Sequence, residues 1–359
     1  MAGRSREKLE QVVAQCGEWN PDRLPPSVEV CALTDDDLTA LARKTFILIT
    51  TVGPYARHGD AAFKACAATG THYLDVTGEV PWVSRMINRH SAAAAASGAI
   101  MIPQIGIESA PSDLVTWTLA STLRKFLPGA SMRDVVISLR IKGAPSGGTV
   151  STVLTLFETI PVREAIASLK PFALSPVPNP HPAGPASPSL LTRLTGYIRL
   201  PVLGLQTTSI ADRTDAAVVE RTWGLLQTLP SRTDQAYGPN FSFKQYMRTR
   251  NFLSGLTLHI TLMVFGLIMV TPFLRSLVGR FVTPPGEGSP LEEAKNDEIE
   301  YRGVAQLDVP GTKKQAYCRA WYNGPMYFCK PTLIHPDCLL SLTVGQSLVC
   351  CSERLLQHS

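Results

Sequence analysis

The sequence predicts an α/β chain in which a doubly wound parallel sheet, incomplete at its start, is followed by an α+β domain. Three observations carry this. Short β-prone runs alternate with single helical patterns through the first third of the chain, the run Phe46 to Thr51 is almost wholly apolar, and after Arg133 the alternation gives way to one long strand pattern and a Gly/Ser turn. Strands joined through one helix of roughly ten to fifteen residues pair in parallel by right-handed crossovers.

Each element follows from its residues. Leu9, Val12, Val13 and Cys16 recur at helical spacing between charged residues, so Ser5 to Cys16 reads as an amphipathic surface helix. Val28 to Cys31 is a short β-prone run. Thr34 with Asp37 three residues on predicts a capping box for a helix that runs to about Arg43. Phe46 to Thr51 predicts a strand of the kind covered on both faces, ending in Gly53-Pro54. A helix from about Asp60 to Ala68, a strand Tyr73 to Val76, a helix from Pro81 to about Ser97, a strand Ala99 to Pro103 and a helix from about Pro111 to Leu123 continue the order.

The second region opens with VVISLRIKG from Val135, a Gly/Ser turn and a helix from about Thr149 to Thr159. Seven prolines between Pro171 and Pro188 exclude helix and sheet there and predict an exposed loop. A polar, Pro/Gly-rich break from Thr283 to Asn296 precedes a β-like stretch, Ile299 to Val309. The domain assignment is residues 1–125 for the parallel-sheet domain and 126–328 for the α+β domain, which carries the Pro-rich loop 171–188 and an apolar segment 252–274. Residues 329–359 form a divergent tail.

Composition narrows the function classes. A net charge of +5 with no block of consecutive Lys or Arg argues against nucleic acid as a partner. The eight cysteines form no CxxC pair and no zinc-type Cys/His spacing, so no metal site is expected and free thiols in a reducing compartment are. The charged opening MAGRSREKLE lacks the apolar core of a secretory signal, which predicts an intracellular protein. Phe252 to Leu274 holds no Asp, Glu, Lys or Arg and is long enough to span a bilayer. A buried core helix and a segment at a membrane or lipid-droplet surface are both open readings of it.

In doubly wound sheets, ligands bind at the carboxyl ends of the strands. Two such ends stand out: Thr50-Thr51-Val52-Gly53-Pro54-Tyr55 and Asp75-Val76-Thr77-Gly78-Glu79. Gly53 and Gly78 permit close backbone approach. Tyr55 is a candidate proton donor that Asp75 or Glu79 would orient, with turn chemistry and helix capping as the alternative reading. Asp113 reads as a first-turn helix residue complementing the dipole. No Gly-rich, phosphate-gripping turn precedes Ser5. The chain opens on Ala2-Gly3-Arg4 in the manner of a second strand's end. An Arg there, where an acidic residue would hold a ribose 2′-hydroxyl, points to NADP over NAD, with an ordinary helix-start Arg as the other reading. The run Gly143 to Thr149 imitates a phosphate loop but lacks its Lys and its glycine spacing, and is expected to be a tight turn.

GRSREKLE, ITTVGPYARHGDAAFKACAATGTHYLDVTGE and PQIGIESAPSDL, in that order, resemble the saccharopine dehydrogenase-like oxidoreductases, in particular the branch with the trans-acting enoyl reductases. The resemblance covers about Ala2 to Phe328 and includes Ser146 to Thr149 and the apolar segment. It implies a Rossmann-like NAD(P)-binding domain, here lacking its first β-α unit and so leaving a central strand without a neighbour, and a domain closing over the cofactor. It places Arg4, Ser5 and Lys8 near the adenosine ribose and its phosphate. Thr51, Gly53, Pro54 and Tyr55 would lie towards the nicotinamide of NADP(H), with Asp75, Thr77, Gly78 and Glu79 in support and Tyr55 and Glu79 as the catalytic pair. The implied reaction reduces an unsaturated acyl or polyketide-type chain, held on an acyl carrier domain, in secondary or lipid metabolism. A second reading, from a different class, is a non-catalytic, shortened family member at a membrane or lipid surface.

Overall fold

The structure is a computed structural model that describes all residues except 20, 108, 144–154, 180–188, 280–295, 310–314, 324–339, 345–346 and 352–359. The chain divides into two units, Met1–Thr77 with Trp82–Pro103, and Gly78–Pro81 with Gln104–Ser359.

In the first unit, β1 (Ala2–Gly3), α1 (Arg6–Trp19), β2 (Glu29–Val30), α2 (Asp35–Arg43) and β3 (Ile47–Thr50) follow one another. Then come α3 (Tyr55–His58), α4 (Asp60–Thr69), β4 (His72–Asp75), α5 (Val80–Ser97) and β5 (Met101–Ile102). The expected alternation is present, and every strand pair in it is parallel. Among the described residues the strands of this unit form two sheets, β1-β2 and β3-β4-β5, in which β3 pairs on its β4 side alone.

That one-sided pairing corrects the expectation for Phe46 to Thr51. Phe46 is 79% exposed and Ile49 63%, which a strand covered on both faces would not allow. An edge strand lacks the neighbouring crossover whose helix would cover it. The capping box is half formed. Thr34 Oγ1 accepts the Asp37 N–H at 3.2 Å, but the Asp37 carboxylate takes the Ala32 N–H at 3.1 Å and ties α2 to the chain leaving β2 instead. The core of this unit is aromatic: Phe63 stacks edge-on to Tyr73 and Trp82, with ring centroids 4.8 and 5.9 Å away. Gly59 admits Trp82, since a Cβ there would lie 2.6 Å from the indole.

The second unit contains α6 (Ala110–Phe126), β6 (Met132–Lys142), α7 (Val162–Ser168), α8 (Leu190–Thr195), β7 (Ile198–Leu200), β8 (Gly204–Thr208) and α9 (Asp212–Thr228). It continues through β9 (Ser242–Met247), α10 (Phe252–Val270), α11 (Pro272–Gly279), β10 (Glu298–Leu307) and β11 (Gln315–Asn323) to the hairpin β12 (Leu340–Val344) and β13 (Ser347–Cys351). Six strands form one sheet in the order β11-β10-β6-β9-β8-β7, antiparallel except for β6 with β9. The period-two alternation of the strands puts Ile137, Leu139, Phe243, Ile299, Tyr301 and Ala305 into a buried core with Leu119, Leu123 and Trp223 from α6 and α9. Gly303 sets how closely α6 approaches. A Cβ at Gly303 would lie 2.7 Å from Val115 Cγ1 and 3.0 Å from Leu119 Cδ1.

A buried polar joint ties the helices to the sheet. Ser112 Oγ of α6 and Gln245 Nε2 of β9 both donate to Asp215 Oδ2 of α9. Ser209 Oγ donates to Gln245 Oε1 at 2.6 Å, and Asp212 accepts the Gln245 backbone N–H at 2.8 Å. Of the expected helix Thr149 to Thr159, residues 155–159 are helical and the rest lies outside the described residues, as do the Gly143 to Thr149 run beyond its first residue and nearly all of Thr283 to Asn296. The described part of the Pro-rich loop, 171–179, holds no helix or strand.

The apolar segment is a helix, α10, whose N-terminus is closed by a reciprocal box between Asn251 and Ser254. It is long and apolar enough to cross a membrane by length and composition, and 17% of that stretch is buried. That buried share is smaller than a helix enclosed in a core would show. Gly303→Ala should lower the unfolding free energy by about 1–3 kcal/mol through overpacking against α6, measured by urea denaturation; an unchanged midpoint would show that α6 has room to yield.

Candidate functional site

The candidate site is built where β3 and β4 end. The chain leaves β3 at Thr50 and turns through Thr51, Val52, Gly53 and Pro54 into α3, whose first residue is Tyr55. Tyr55 is buried, and its hydroxyl donates to the Thr50 carbonyl at 2.9 Å while the Val76 N–H reaches it at 3.5 Å. The phenol therefore clamps the ends of two neighbouring parallel strands. Its ring rests 5.5 Å from that of Trp82, which fixes it from behind. Thr51, Gly53 and Val76 are exposed, so the turns leaving β3 and β4 present open backbone beside the buried Tyr55. A Cβ on Gly53 would meet the Tyr55 ring at 3.6 Å, an ordinary contact, so nothing in the described surroundings demands glycine there.

Asp75 closes β4. Its Oδ1 accepts the Thr77 N–H at 3.0 Å, an Asx turn, and its Oδ2 accepts the Tyr73 hydroxyl at 2.8 Å. Asp75, Thr77 and Glu79 are all buried. Burial, and then the charge of Asp75, pushes the Tyr73 phenol well above its ordinary value. Of the predicted residues, the structure brings Thr50, Tyr55, Asp75 and Thr77 into one bonded corner. Gly78 and Glu79 continue the same turn but group with the second unit.

Arg4 and Ser5 lie between β1 and α1, and Lys8 is in the first turn of α1. Ser5 caps that helix, its Oγ accepting the Lys8 N–H at 3.4 Å, while Arg4 and Lys8 are exposed. Two exposed cations at the head of a helix suit a phosphate, because the free N–H groups and the dipole of the first turn favour an anion there. Among the described residues no group of three or more His, Cys, Asp or Glu is placed to hold a metal ion.

Glu220 and Glu300 carry no local sequence signal, and Asp113 reads in the sequence only as a partner of the dipole. Asp113 sits in the first turn of α6 as expected, half-buried, with its Oδ1 shut off from water. Thr222 donates to it at 2.9 Å, and burial raises its carboxyl to about 6. Burial likewise raises Glu220 to about 7 while the Phe172 N–H bonds it. Glu300 is bonded by four arginines on the sheet. Each of these depends on a partner distant in sequence, so no local spacing marks it.

No family model matches the chain. A Mycobacterium tuberculosis protein named for trans-acting enoyl reductase activity is 30% identical over 96% of this chain and 82% of its own length. A trans-acting enoyl reductase of Mycobacterium bovis is 28% identical over 80% of this chain and 69% of its own, and one of Mycobacterium leprae 41% identical over 33% and 28%. Among solved structures, apo saccharopine dehydrogenase from Saccharomyces cerevisiae superposes with a TM-score of 0.49 at 10% identity, covering 89% of this chain and 79% of that one.

Tyr55→Phe removes both bonds of the clamp and should cost about 1–2 kcal/mol of unfolding free energy. Chemical denaturation checks this, and a variant as stable as the parent would leave the hydroxyl without a holding role.

Proposed function

The chain belongs to the trans-acting enoyl reductase family, and we propose that it is an oxidoreductase that uses NADPH to reduce an acyl or polyketide-type double bond presented by an acyl carrier domain. The observation that carries this reading is the likeness along 96% of the chain to a relative so named, rather than to one motif. The fold agrees with it: parallel strands whose carboxyl ends carry exposed glycines beside a buried, bonded base.

The residues fit a nicotinamide dinucleotide in one checkable respect, the exposed cations Arg4 and Lys8 beside the Ser5 cap, which match a 2′-phosphate. When bound, such a cofactor supplies hydride for the β carbon of the enoyl group. The proposed roles of the protein's own groups follow from their surroundings. Arg4, Ser5 and Lys8 hold the phosphate end. Thr51, Gly53 and Pro54 offer backbone to the reacting end, and Asp75, Thr77 and Gly78 keep the second turn in shape. Tyr55 and Glu79 are the proposed sources of the proton that reaches the α carbon. For Tyr55 this requires its hydroxyl to exchange the Thr50 carbonyl for substrate, so it serves as clamp before it serves as acid.

NADPH fluorescence titration of the full chain should give saturable binding, weakened about tenfold or more by Arg4→Ala through loss of a charge-assisted phosphate contact. Absence of binding at millimolar NADPH would defeat the reductase reading and leave the non-catalytic one.

A second property is favoured by a specific observation. One strip of α10 is anchored: Gly255 and His259 are buried, and His259 bonds Thr208 at 2.8 Å and the Arg193 carbonyl at 3.2 Å. The opposite side presents Leu253, Ile260, Met263, Val264 and Leu267, each at least half exposed, with Phe273 of α11 beyond them. A helix docked on its own domain along one side and greasy on the other suits lying at a lipid surface rather than spanning it. The protein is accordingly proposed to float with neutral phospholipid vesicles, and Leu253→Glu with Leu267→Glu to abolish flotation. Wild-type protein left at the bottom of the gradient would reject this.

A further inference from the structure

The sheet of the second unit has a second face, opposite α6 and α9, and it is strongly charged. Pairing places Glu300 opposite Arg140 on β6 and Trp321 on β11, and Arg302 opposite Arg319. Side chains two residues apart share a face, so Glu298, Glu300, Arg302, Arg140, Arg319 and Trp321 stand together. Arg248, whose N–H bonds the Leu139 carbonyl just beyond β9, joins them.

All four guanidinium groups converge on one carboxylate. Arg248 reaches Glu300 at 2.7 Å, Arg302 at 3.0 Å and Arg140 at 3.3 Å, and Arg319 bonds it as well. Arg140 also bonds Glu298, which accepts the Trp321 indole N–H at 3.0 Å. Glu300 is 1% exposed, whereas Arg302, Arg319 and Trp321 all keep substantial surface. Burial opposes ionisation of Glu300, but Arg302 and Arg319 outweigh it and hold its carboxyl below the ordinary value.

Charge is not balanced here. Among the described residues, four arginines against Glu298 and Glu300 leave a surplus of two positive charges within the reach of a single side chain. A network serving stability alone gains nothing from that surplus, because like charges held together repel. Each guanidinium has five N–H donors in a planar fork, and Glu300 and Glu298 use only part of that supply while fixing each fork in place. Preorganised forks with spare donors and a net charge near +2 match a tetrahedral dianion.

We propose that this face is a binding site for a phosphoryl group, whose source is either free phosphate or the phosphate ester of a larger ligand, with Trp321 beside it to cover an apolar portion of the latter. The inference goes beyond the reductase reading and does not rest on it.

Isothermal titration of the full chain with inorganic phosphate, and separately with 4′-phosphopantetheine, tests it against sodium chloride at matched ionic strength. Saturable heat with phosphate but not chloride is expected, weakened about tenfold in Arg319→Gln, which loses charge-assisted donors. Tighter binding of phosphopantetheine that Trp321→Ala alone reverses assigns the ester source, and equal affinities assign free phosphate. Should Arg319→Gln fail to fold, Arg319→Lys keeps the charge without the fork and carries the same expectation. Heat indistinguishable from chloride, or unaltered affinity in both Arg319→Gln and Arg302→Gln, would overturn the proposal.

Discussion

The second unit depends on a carboxylate with no access to water. Asp215 lies at the meeting point of α6, α9 and β9, and it is tolerated there because Ser112 and Gln245 bring donors to it. A carboxyl group buried without hydrogen-bond partners is costly, so the packing of the three elements is coupled through it. The apolar contacts around it are not directional. Leu119, Trp223 and Tyr301 would accept small shifts of α6 along the sheet, whereas the bonds to Asp215 accept one register. Gly303 then lets the helix come down to the distance that register requires.

How much of this could be read in advance varies with how local the cause is. The strands and helices of the first unit follow from periodicity and punctuation within a few residues, and their order and parallel pairing were legible. So was α10, from composition alone. The capping box at Thr34 was half legible: its spacing is local, but Asp37 found a better donor in Ala32, and no spacing rule ranks the two. Tyr55 stood out as a strand-end residue, yet its hydroxyl's partners, Thr50 and Val76, come from separate strands, and their geometry exists only once β3 and β4 are paired. The apolar run at Phe46 misled for a related reason. Hydrophobicity reports what a strand would bury given a neighbour, and it does not report whether the neighbour is there.

The arginine cluster is silent in the sequence for the same reason. Arg140, Arg248, Arg302 and Arg319 are spread over nearly half the chain, and in a list of charges each looks like a solvated surface residue. Cross-strand register converts them into one object. The chain thus carries three chemically distinct surfaces: strand-end turns with backbone and hydroxyl groups, a greasy side on α10, and a cationic sheet face. They differ in what secures them, namely an aromatic base, a histidine anchor and a buried glutamate.

The unpartnered side of β3 bears on how the protein behaves in bulk. Ile47 and Ile49 offer β-branched side chains beside a row of main-chain donors and acceptors facing outward from a strand only four residues long. Such groups are the kind another extended chain takes up, and the strand itself, Ile-Leu-Ile-Thr, carries no charged side chain. A strand of four residues offers few such groups, so its brevity limits how much backbone another chain could pair with.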